Sequence, residues 1–416
     1  MSGSLYRGAA ITTPLCGSRP SAGAEQGRTK TWENGSLLVI DGIIKAVGDD
    51  DEVMKAADAL DSQIDEEVDC EGACMIPGFV DPHTHICFAA RREKEFGMRL
   101  EGKTYLEILN AGGGILSSVR AVKEATEEEL YETTLDNVLS ALSHGTTTME
   151  IKSGYGLCTE EELKMLRVIK RIGEETPLDI VPTFMGAHAV PTEYKSNPDA
   201  FVDIIVNEML PAVKAQGIAD CCDVFCETGV YTIEQSRRIL LAARDLGMKL
   251  RIHADEVDDT GGAGLAAELR TVSAEHLLAA SESNLRAMAA ASVIADVLPA
   301  TAYSLRKPYA PARKMIELGV PVALASDCNP GSCFCESMPF VFGLAVMNMG
   351  MTVSEALVGC TLNAAWSVGL QDKVGSLEVG KQADFLLLDG DSPAVLAYHA
   401  GVNPVMEVYK RGVFVS

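Results

Sequence analysis

The sequence predicts an α/β fold: a (β/α)8 TIM-like barrel with a small β-sandwich-like domain formed from both chain ends. Apolar strand-like runs alternate with helical patterns through the middle of the 416-residue chain, and both ends consist of short β-like runs. Five of the seven histidines stand where a predicted strand ends. Barrels of this class carry their chemistry at the carboxyl ends of the strands, and the histidines fit that rule.

The two ends of the chain predict a composite β-domain. Near the start, SLLVIDGIIKAVG is two apolar runs around Asp41-Gly42, which is a hairpin signal. Near the end, GSLEVGKQADFLLLD and VMEVYKRGVFVS are short β-like runs with turn residues between them. Neither end is long enough to bury a core alone. We therefore predict one β-domain from residues 1–77 and 372–416, and a barrel from residues 78–371.

The middle of the chain contains eight strand-like runs. Near-continuous apolar strands that alternate with helices indicate a parallel sheet, and eight such repeats indicate a closed barrel. The runs are MIPGFVDPH, TTTMEIKS, LDIVPTFMG, CCDVFCE, KLRIHAD, TVSAEHL, VIADVLPA and PVALASD.

Three helices of the barrel have recognisable starts and ends. A capping box followed by a helical pattern and a glycine predicts each of them. The boxes pair Thr126 with Glu129, Thr159 with Glu162, and Thr232 with Gln235. The expected ends lie near Gly145, Gly173 and Gly247.

The composition excludes several classes of function. A net charge of -24 and a pI of about 4.7 argue against a nucleic-acid binder, which needs a basic face. No run reaches the roughly 18 apolar residues of a membrane helix, and the N-terminus lacks the charged-then-apolar order of a signal peptide. The 12 cysteines are then most simply reduced thiols. We expect a cytoplasmic protein that binds neither nucleic acid nor membrane.

The histidines at the strand ends predict a metal site. His83 and His85 lie at positions i and i+2 of a strand and so share one face. Imidazole is the commonest neutral ligand for zinc and iron. The other candidates that close strands are His188, His253, His276 and Asp327.

Two glycine runs could suggest a phosphate site. Neither residues 111–114 nor residues 261–264 match a phosphate-binding motif, because no GK[ST] follows the first and the second lacks the dinucleotide fingerprint. We expect a turn beside the site at the first run and the start of a helix at the second.

Several motifs resemble the amidohydrolase superfamily of metal-dependent hydrolases. PGFVDPHTH, HADE and SDCNPG carry this resemblance, framed by DGIIKAVG and GSLEVGKQADFLLLD. Within the superfamily the chain resembles the imidazolonepropionase family through AGGGI at 111–115, KSGYGL at 152–157, FMGAHAVPTEY at 184–194, DVFCE at 223–227 and NPGS at 329–332. The resemblance runs from about Ser36 to Val413.

This resemblance implies one zinc or iron ion per subunit, held by His83, His85, His253 and Asp327. Three imidazoles and a carboxylate leave a position for water or substrate, which is chemically sensible for a catalytic ion. Members of the superfamily that bind two metal ions carry a lysine on a middle strand that bridges the two ions. The run CCDVFCE has no lysine, so one ion is favoured.

The resemblance also implies roles for the residues around the ion. Glu256, His276 and Asp327 are the expected catalytic residues. The expected substrate contacts are Arg92, Tyr105, Tyr155, His188, Glu256, Asn329, Gly331 and Ser332. Arg91 and the run Cys333-Phe334-Cys335 depart from the family pattern, and Arg91 could share the role of Arg92.

The implied activity is hydrolysis of the cyclic amide of 4-imidazolone-5-propanoate to N-formimidoyl-L-glutamate, a step of L-histidine degradation, by a homodimer. Two alternatives stay open. A deaminase or another cyclic amidase of the superfamily would share the HxxE spacing of His253 and Glu256. A scaffold protein could keep the barrel without its chemistry, although such proteins usually lack some ligands.

Overall fold

Two sheets organise the chain in the computed structural model, which describes residues 3–59, 64–103, 107–108 and 111–416. One sheet contains eight parallel strands from the middle of the chain, and the other contains strands from both ends. The predicted fold class is confirmed. The boundaries after residues 77 and 371 stay a prediction.

Each of the eight parallel strands pairs with the next one along the chain. The first and last strands are joined beyond their ends, because the His85 amide donates to the Cys328 carbonyl at 2.9 Å and the Asp327 amide donates to the His83 carbonyl at 3.1 Å. The barrel is therefore nearly closed, and its seam lies beside the predicted ligands. The strands are β6 (Phe79–Asp81), β7 (Thr146–Lys152), β8 (Asp179–Ala187), β9 (Cys221–Cys226), β10 (Lys249–Ala254), β11 (Ser273–His276), β12 (Ile294–Val297) and β13 (Val322–Leu324).

The sheet from the chain ends joins five strands that precede the barrel strands with three strands that follow them. The predicted hairpin is present: Ile40 pairs with Ile43, and Asp41 and Gly42 take φ of 50° and 78° in the turn. The strands of this sheet are β1 (Gly3–Pro14), β2 (Thr29–Ile40), β3 (Ile43–Asp49), β4 (Glu66–Asp69), β5 (Cys74–Pro77), β14 (Phe385–Leu388), β15 (Val405–Lys410) and β16 (Val413–Phe414). They lie in the order β16-β15-β14-β5-β1-β2-β3, with β4 paired to β1.

The first predicted barrel strand is in fact two strands of different sheets. Cys74–Pro77 pairs antiparallel with β14, whereas Phe79–Asp81 pairs parallel with β7. The chain changes sheets at Gly78, where an added Cβ would lie 2.3 Å from the Thr147 hydroxyl oxygen. A side chain does not fit there, so a glycine is required at the junction of the two sheets.

Helices cover the barrel and bury an apolar core against its strands. The capping boxes at Thr126 and Thr232 are confirmed. No helix of the described residues is both long and apolar enough to cross a membrane. The α-helices span Asp50–Ala59, Glu93–Leu100, Ile115–Glu124, Glu127–Ser143, Thr159–Glu175, Pro198–Ile204, Leu210–Gln216, Ile233–Asp245, Gly262–Leu269, Glu282–Ala291, Pro299–Leu305, Ala312–Glu317, Met338–Asn348, Val353–Cys360, Leu362–Val368 and Val395–Tyr398.

The capping box predicted at Thr159 and Glu162 is wrong. The N-cap is Cys158, and the helix ends at Glu175, close to the predicted end near Gly173. The Glu162 carboxylate turns inward and accepts hydrogen bonds from the amides of Gly154, Gly156 and Leu157 at 2.8 to 3.0 Å. Three amide donors satisfy a buried carboxylate better than one, and they fix the loop that follows β7.

Candidate metal centre and active site

The five histidines expected at strand ends gather at one end of the barrel. His83 and His85 follow β6, His188 follows β8, His253 lies in β10, and His276 ends β11. Their rings form a continuous cluster, with centroids 4.5 Å apart between His83 and His253 and 4.6 Å apart between His85 and His188. Parallel strands place their carboxyl ends at the same rim, which explains how residues so far apart in sequence meet.

The four predicted ligands lie close together. The Nε2 atoms of His85 and His253 are 3.1 Å apart, and ring nitrogens of His83, His85 and His253 all lie within 4.8 Å of one another. Asp327 Oδ1 is 3.6 Å from His83 Nε2 and 3.8 Å from His85 Nε2. The structure therefore brings the three imidazoles and the carboxylate to one point.

The hydrogen bonding of these residues fits a metal ion. Both ring nitrogens of His83 and Nδ1 of His85 are buried, and no hydrogen-bond partner for them lies among the described residues. Burial lowers the pKa of all three imidazoles, so the rings are neutral and present lone pairs. His253 Nδ1 lies 3.1 Å from Asp223 Oδ1, a contact that fixes the tautomer and leaves Nε2 as a donor to a metal. Neutral imidazoles with one carboxylate suit zinc or iron.

Asp327 is held in an unusual backbone conformation. Its φ is 53°, in the left-handed region, and its Oδ2 accepts a hydrogen bond from the Thr301 hydroxyl at 2.6 Å. Burial raises the pKa of Asp327 to about 6. Strain of this kind concentrates at functional sites, and here it directs the carboxylate toward the histidines.

Glu256 and His276 form a second pair beside the cluster. Glu256 Oε2 lies 3.8 Å from His276 Nε2, and the His276 ring lies 5.2 Å from the ring of His253. The neighbouring Asp255 has a different role, because its carboxylate accepts hydrogen bonds from the amides at the start of helix Gly262–Leu269. The structure thus distinguishes Glu256 from the adjacent acids by its position beside His276. The charge pattern of the sequence alone did not distinguish them.

Tyr155 and His188 line the wall beside His85. The Tyr155 and His188 rings are 5.2 Å apart, and His188 Nδ1 lies 3.0 Å from the Gly154 carbonyl oxygen. Burial raises the pKa of Tyr155 and lowers the pKa of His188 to about 3. Both side chains are therefore neutral groups that can exchange hydrogen bonds with a ligand.

Arg92 lies against the loop that follows Asp327. Its guanidinium pairs with Glu95, with Nε and Nη2 donating at 2.9 and 2.6 Å, and an added Cβ on Gly331 would lie 2.3 Å from its Nη1. The Arg91 guanidinium instead stacks on the Phe334 ring at 4.8 Å. The two arginines therefore have different surroundings.

The loop after Asp327 is organised by Asn329. Its Oδ1 accepts hydrogen bonds from the amides of Gly331 and Ser332 at 2.9 and 2.8 Å, and its Nδ2 donates to the Asp327 carbonyl at 2.7 Å. Asn329 is thus tied to the loop itself. Tyr105, the remaining predicted contact, lies outside the described residues.

The glycine run at 111–114 lies beside this region. The predicted turn is present, and a helix that was not predicted begins directly after it at Ile115. The Gly114 amide donates to Glu95 Oε2 at 3.1 Å, the same carboxylate that holds Arg92. The run therefore helps to position the arginine. The second run opens helix Gly262–Leu269, as expected.

A network of buried charges below the histidines was not anticipated. Lys152 Nζ lies 2.8 Å from Glu150 Oε1 and 2.9 Å from Asp223 Oδ2, with all three side chains fully buried. Charged residues inside otherwise apolar strands could have indicated this network in the sequence. A buried charge requires a partner of opposite charge, so such residues are expected to pair inside the barrel. Four carboxyl groups share two cations here: Glu150, Asp223, Glu275 and Asp296 with Lys152 and Arg251.

The chain matches a family model described as "Amidohydrolase family" over residues 74–415. It is 62% identical over 411 residues to a protein of Syntrophobacter fumaroxidans named imidazolonepropionase, covering 99% of this chain and 96% of that one. It is 63% identical over 412 residues to the protein of the same name from Desulfotalea psychrophila, covering 99% of each. Among solved structures it resembles E. coli guanine deaminase, with a TM-score of 0.75 at 14% identity, covering 100% of this chain and 99% of the other. The last likeness shows the fold alone.

Proposed function

Since the chain belongs to the amidohydrolase family and, within it, to the imidazolonepropionases, we propose that the buried histidine cluster carries out their reaction. The chain is a hydrolase of carbon–nitrogen bonds in cyclic amides, and its activity is the metal-dependent opening of 4-imidazolone-5-propanoate to N-formimidoyl-L-glutamate in histidine degradation. The meeting of His83, His85, His253 and Asp327 at one point supports the assignment of the site.

These four residues would hold one zinc or iron ion per subunit. A bound ion lowers the pKa of a coordinated water to about 7 and polarises a carbonyl group. A single ion is favoured because the other donors are already committed. Asp223 already contacts both His253 and Lys152, and Glu275 lies 3.5 Å from Arg251 and accepts a hydrogen bond from the Ser273 hydroxyl.

Asp327, Glu256 and His276 would move the protons. Asp327, whose carboxylate lies beside His83 and His85, would take a proton from the attacking water. Glu256, next to His276, would deliver a proton to the ring nitrogen as the carbon–nitrogen bond breaks. The oxyanion formed at the ring carbonyl needs donors close by, and His276 lies within reach of the histidine cluster.

Arg92 would bind the propanoate tail of the substrate. Glu95 engages its Nε and Nη2 atoms, which leaves Nη1 directed at the Gly331 loop. A guanidinium pairs well with a carboxylate, and the neutral Tyr155 and His188 would contact the ring and tail. The amides of Gly331 and Ser332 already bond Asn329, so this loop would contribute shape and position.

Turnover assays with metal analysis test this assignment. We expect N-formimidoyl-L-glutamate from 4-imidazolone-5-propanoate, and zinc or iron in the purified protein. Release of ammonia from an aminopurine or aminopyrimidine, with no turnover of the imidazolone, would show a deaminase instead. A folded protein with almost no metal and no turnover would show a scaffold. Homodimerisation and a cytoplasmic location remain proposals that rest on the family resemblance and the sequence.

A further inference from the structure

The fully buried Lys152 joins two parts of the histidine cluster that come from distant segments of the chain. Its Nζ contacts Asp223 Oδ2 at 2.9 Å, and Asp223 Oδ1 contacts His253 Nδ1 at 3.1 Å. This chain of contacts fixes the orientation of the His253 ring. A histidine ligand depends on such a partner for both its tautomer and its position.

Through Glu150, the same Lys152 ammonium is also linked to the segment between His83 and His85. Its Nζ contacts Glu150 Oε1 at 2.8 Å, and Glu150 Oε2 accepts a hydrogen bond from the Thr84 amide at 3.2 Å. The Lys152 amide donates to the Thr84 carbonyl at 3.1 Å, and the Thr84 hydroxyl donates to the Glu150 carbonyl at 2.7 Å. The segment that carries two of the three histidines is thereby tied to the end of β7.

We propose that Lys152 is a positioning residue for the metal centre, acting through Glu150 and Asp223 to set the spacing between the His83–His85 segment and His253. This inference rests on the proposed metal centre. Its ammonium also balances two carboxylates that would otherwise repel each other in the barrel interior. The consequence is that Lys152 controls metal affinity without contacting the ion.

The test is the zinc affinity of Lys152→Met, measured on the metal-stripped, folded chain by competition with a chelating dye. We expect zinc to bind more weakly by about 10- to 100-fold, the usual effect of losing a partner of a metal ligand. At saturating zinc we expect kcat to fall more than KM rises. The substitution would displace the metal ligands at the reaction centre and would leave Arg92, the proposed site for the propanoate tail, in place.

Lys410 provides a matched control. It is also a buried lysine between two carboxylates, with Nζ 2.6 Å from both Asp179 and Asp384, but it lies in β15 of the other sheet. Lys410→Met should lower the thermal unfolding midpoint of the metal-free chain without changing zinc affinity. A purely structural role for Lys152 predicts the same pattern for Lys152→Met, and that result would overturn the proposal.

Glu150→Gln decides the question if Lys152→Met does not fold. The amide keeps the shape and the acceptor for the Thr84 amide but removes the charge that faces Lys152, so we expect a several-fold loss of zinc affinity in a folded protein. Zinc affinity equal to wild type would contradict the inference. Failure of the wild-type chain to bind zinc or iron would instead overturn the metal centre itself, so the two failures are distinguishable.

Discussion

The Nε2 atoms of His85 and His253 face each other at 3.1 Å, although 168 residues separate them in the chain. Because His253 places its Nδ1 against Asp223, its Nε2 carries a lone pair directed at His85. Without an ion, a proton on His85 Nε2 would allow a hydrogen bond between the two neutral imidazoles. With an ion bound, both Nε2 atoms would present their lone pairs to it, which is the arrangement that the proposed metal centre needs.

Removing the ion should abolish turnover while the barrel stays folded, because the apolar core between strands and helices does not depend on the ion. We expect chelation or His253→Ala to eliminate both bound metal and activity, with an unchanged circular dichroism spectrum. Elemental analysis and product assays measure this. His144→Ala, at a helix end outside the cluster, is the control and should retain both. Full activity in a metal-free sample would contradict the assignment.

Arg92→Ala should mainly weaken substrate binding. A charged hydrogen bond of this kind contributes about 1.5–3 kcal/mol, which corresponds to a rise in KM of roughly 10- to 100-fold with a smaller change in kcat. Arg91→Ala is the matched control, because that guanidinium stacks on Phe334. Steady-state kinetics separate the two variants. If Arg92→Ala leaves both constants unchanged, the tail of the substrate is bound elsewhere.

Gly331→Ala should reproduce part of the Arg92→Ala effect without removing any charge. The new methyl group would lie 2.3 Å from Arg92 Nη1, so the guanidinium must move away from the loop. We expect a higher KM with metal content unchanged. A KM equal to wild type would mean that the arginine position does not determine tail binding.

Glu256→Gln should lower kcat by about 10²- to 10⁴-fold, the usual contribution of a general acid–base group. Metal content should be unchanged, because Glu256 lies beside His276, which is not one of the proposed metal ligands. Asp258→Asn, at an exposed acid two residues away, should be without effect. Equal kcat values for the two variants would remove Glu256 from the proton-transfer step.

The position of the histidines could be predicted from sequence because it follows from strand ends, which short apolar runs mark well. The charge network could not. Lys152, Glu150 and Asp223 were overlooked inside apolar runs, since the partners that make their burial possible come from separate strands. Glu162 shows the same limitation, because a local capping signal was overridden by three amides that the fold brings to its carboxylate.

The buried charge network in the barrel contains four carboxyl groups and only two cations. This imbalance makes the stability of the fold depend on pH through Asp296. Burial, offset only in part by Arg251, raises the pKa of Asp296 to about 6, whereas an unfolded aspartate has a pKa of about 3.9. Between these values the unfolded chain releases the proton and the folded chain keeps it. This group therefore stabilises the fold fully below about pH 4, and that contribution is lost as pH rises through about 6.

Asp296→Asn should remove this dependence, because an amide does not titrate. With both proteins metal-free, the free energy of unfolding of the variant relative to wild type should rise between about pH 4 and pH 7. The expected rise is on the order of 3 kcal/mol for a pKa shift of about two units. Denaturant unfolding of both proteins across that range measures the difference, and other titrating groups cancel in the comparison. A difference that stays constant with pH would show that Asp296 is ionised throughout, paired with Arg251 at 2.8 Å as an ordinary ion pair.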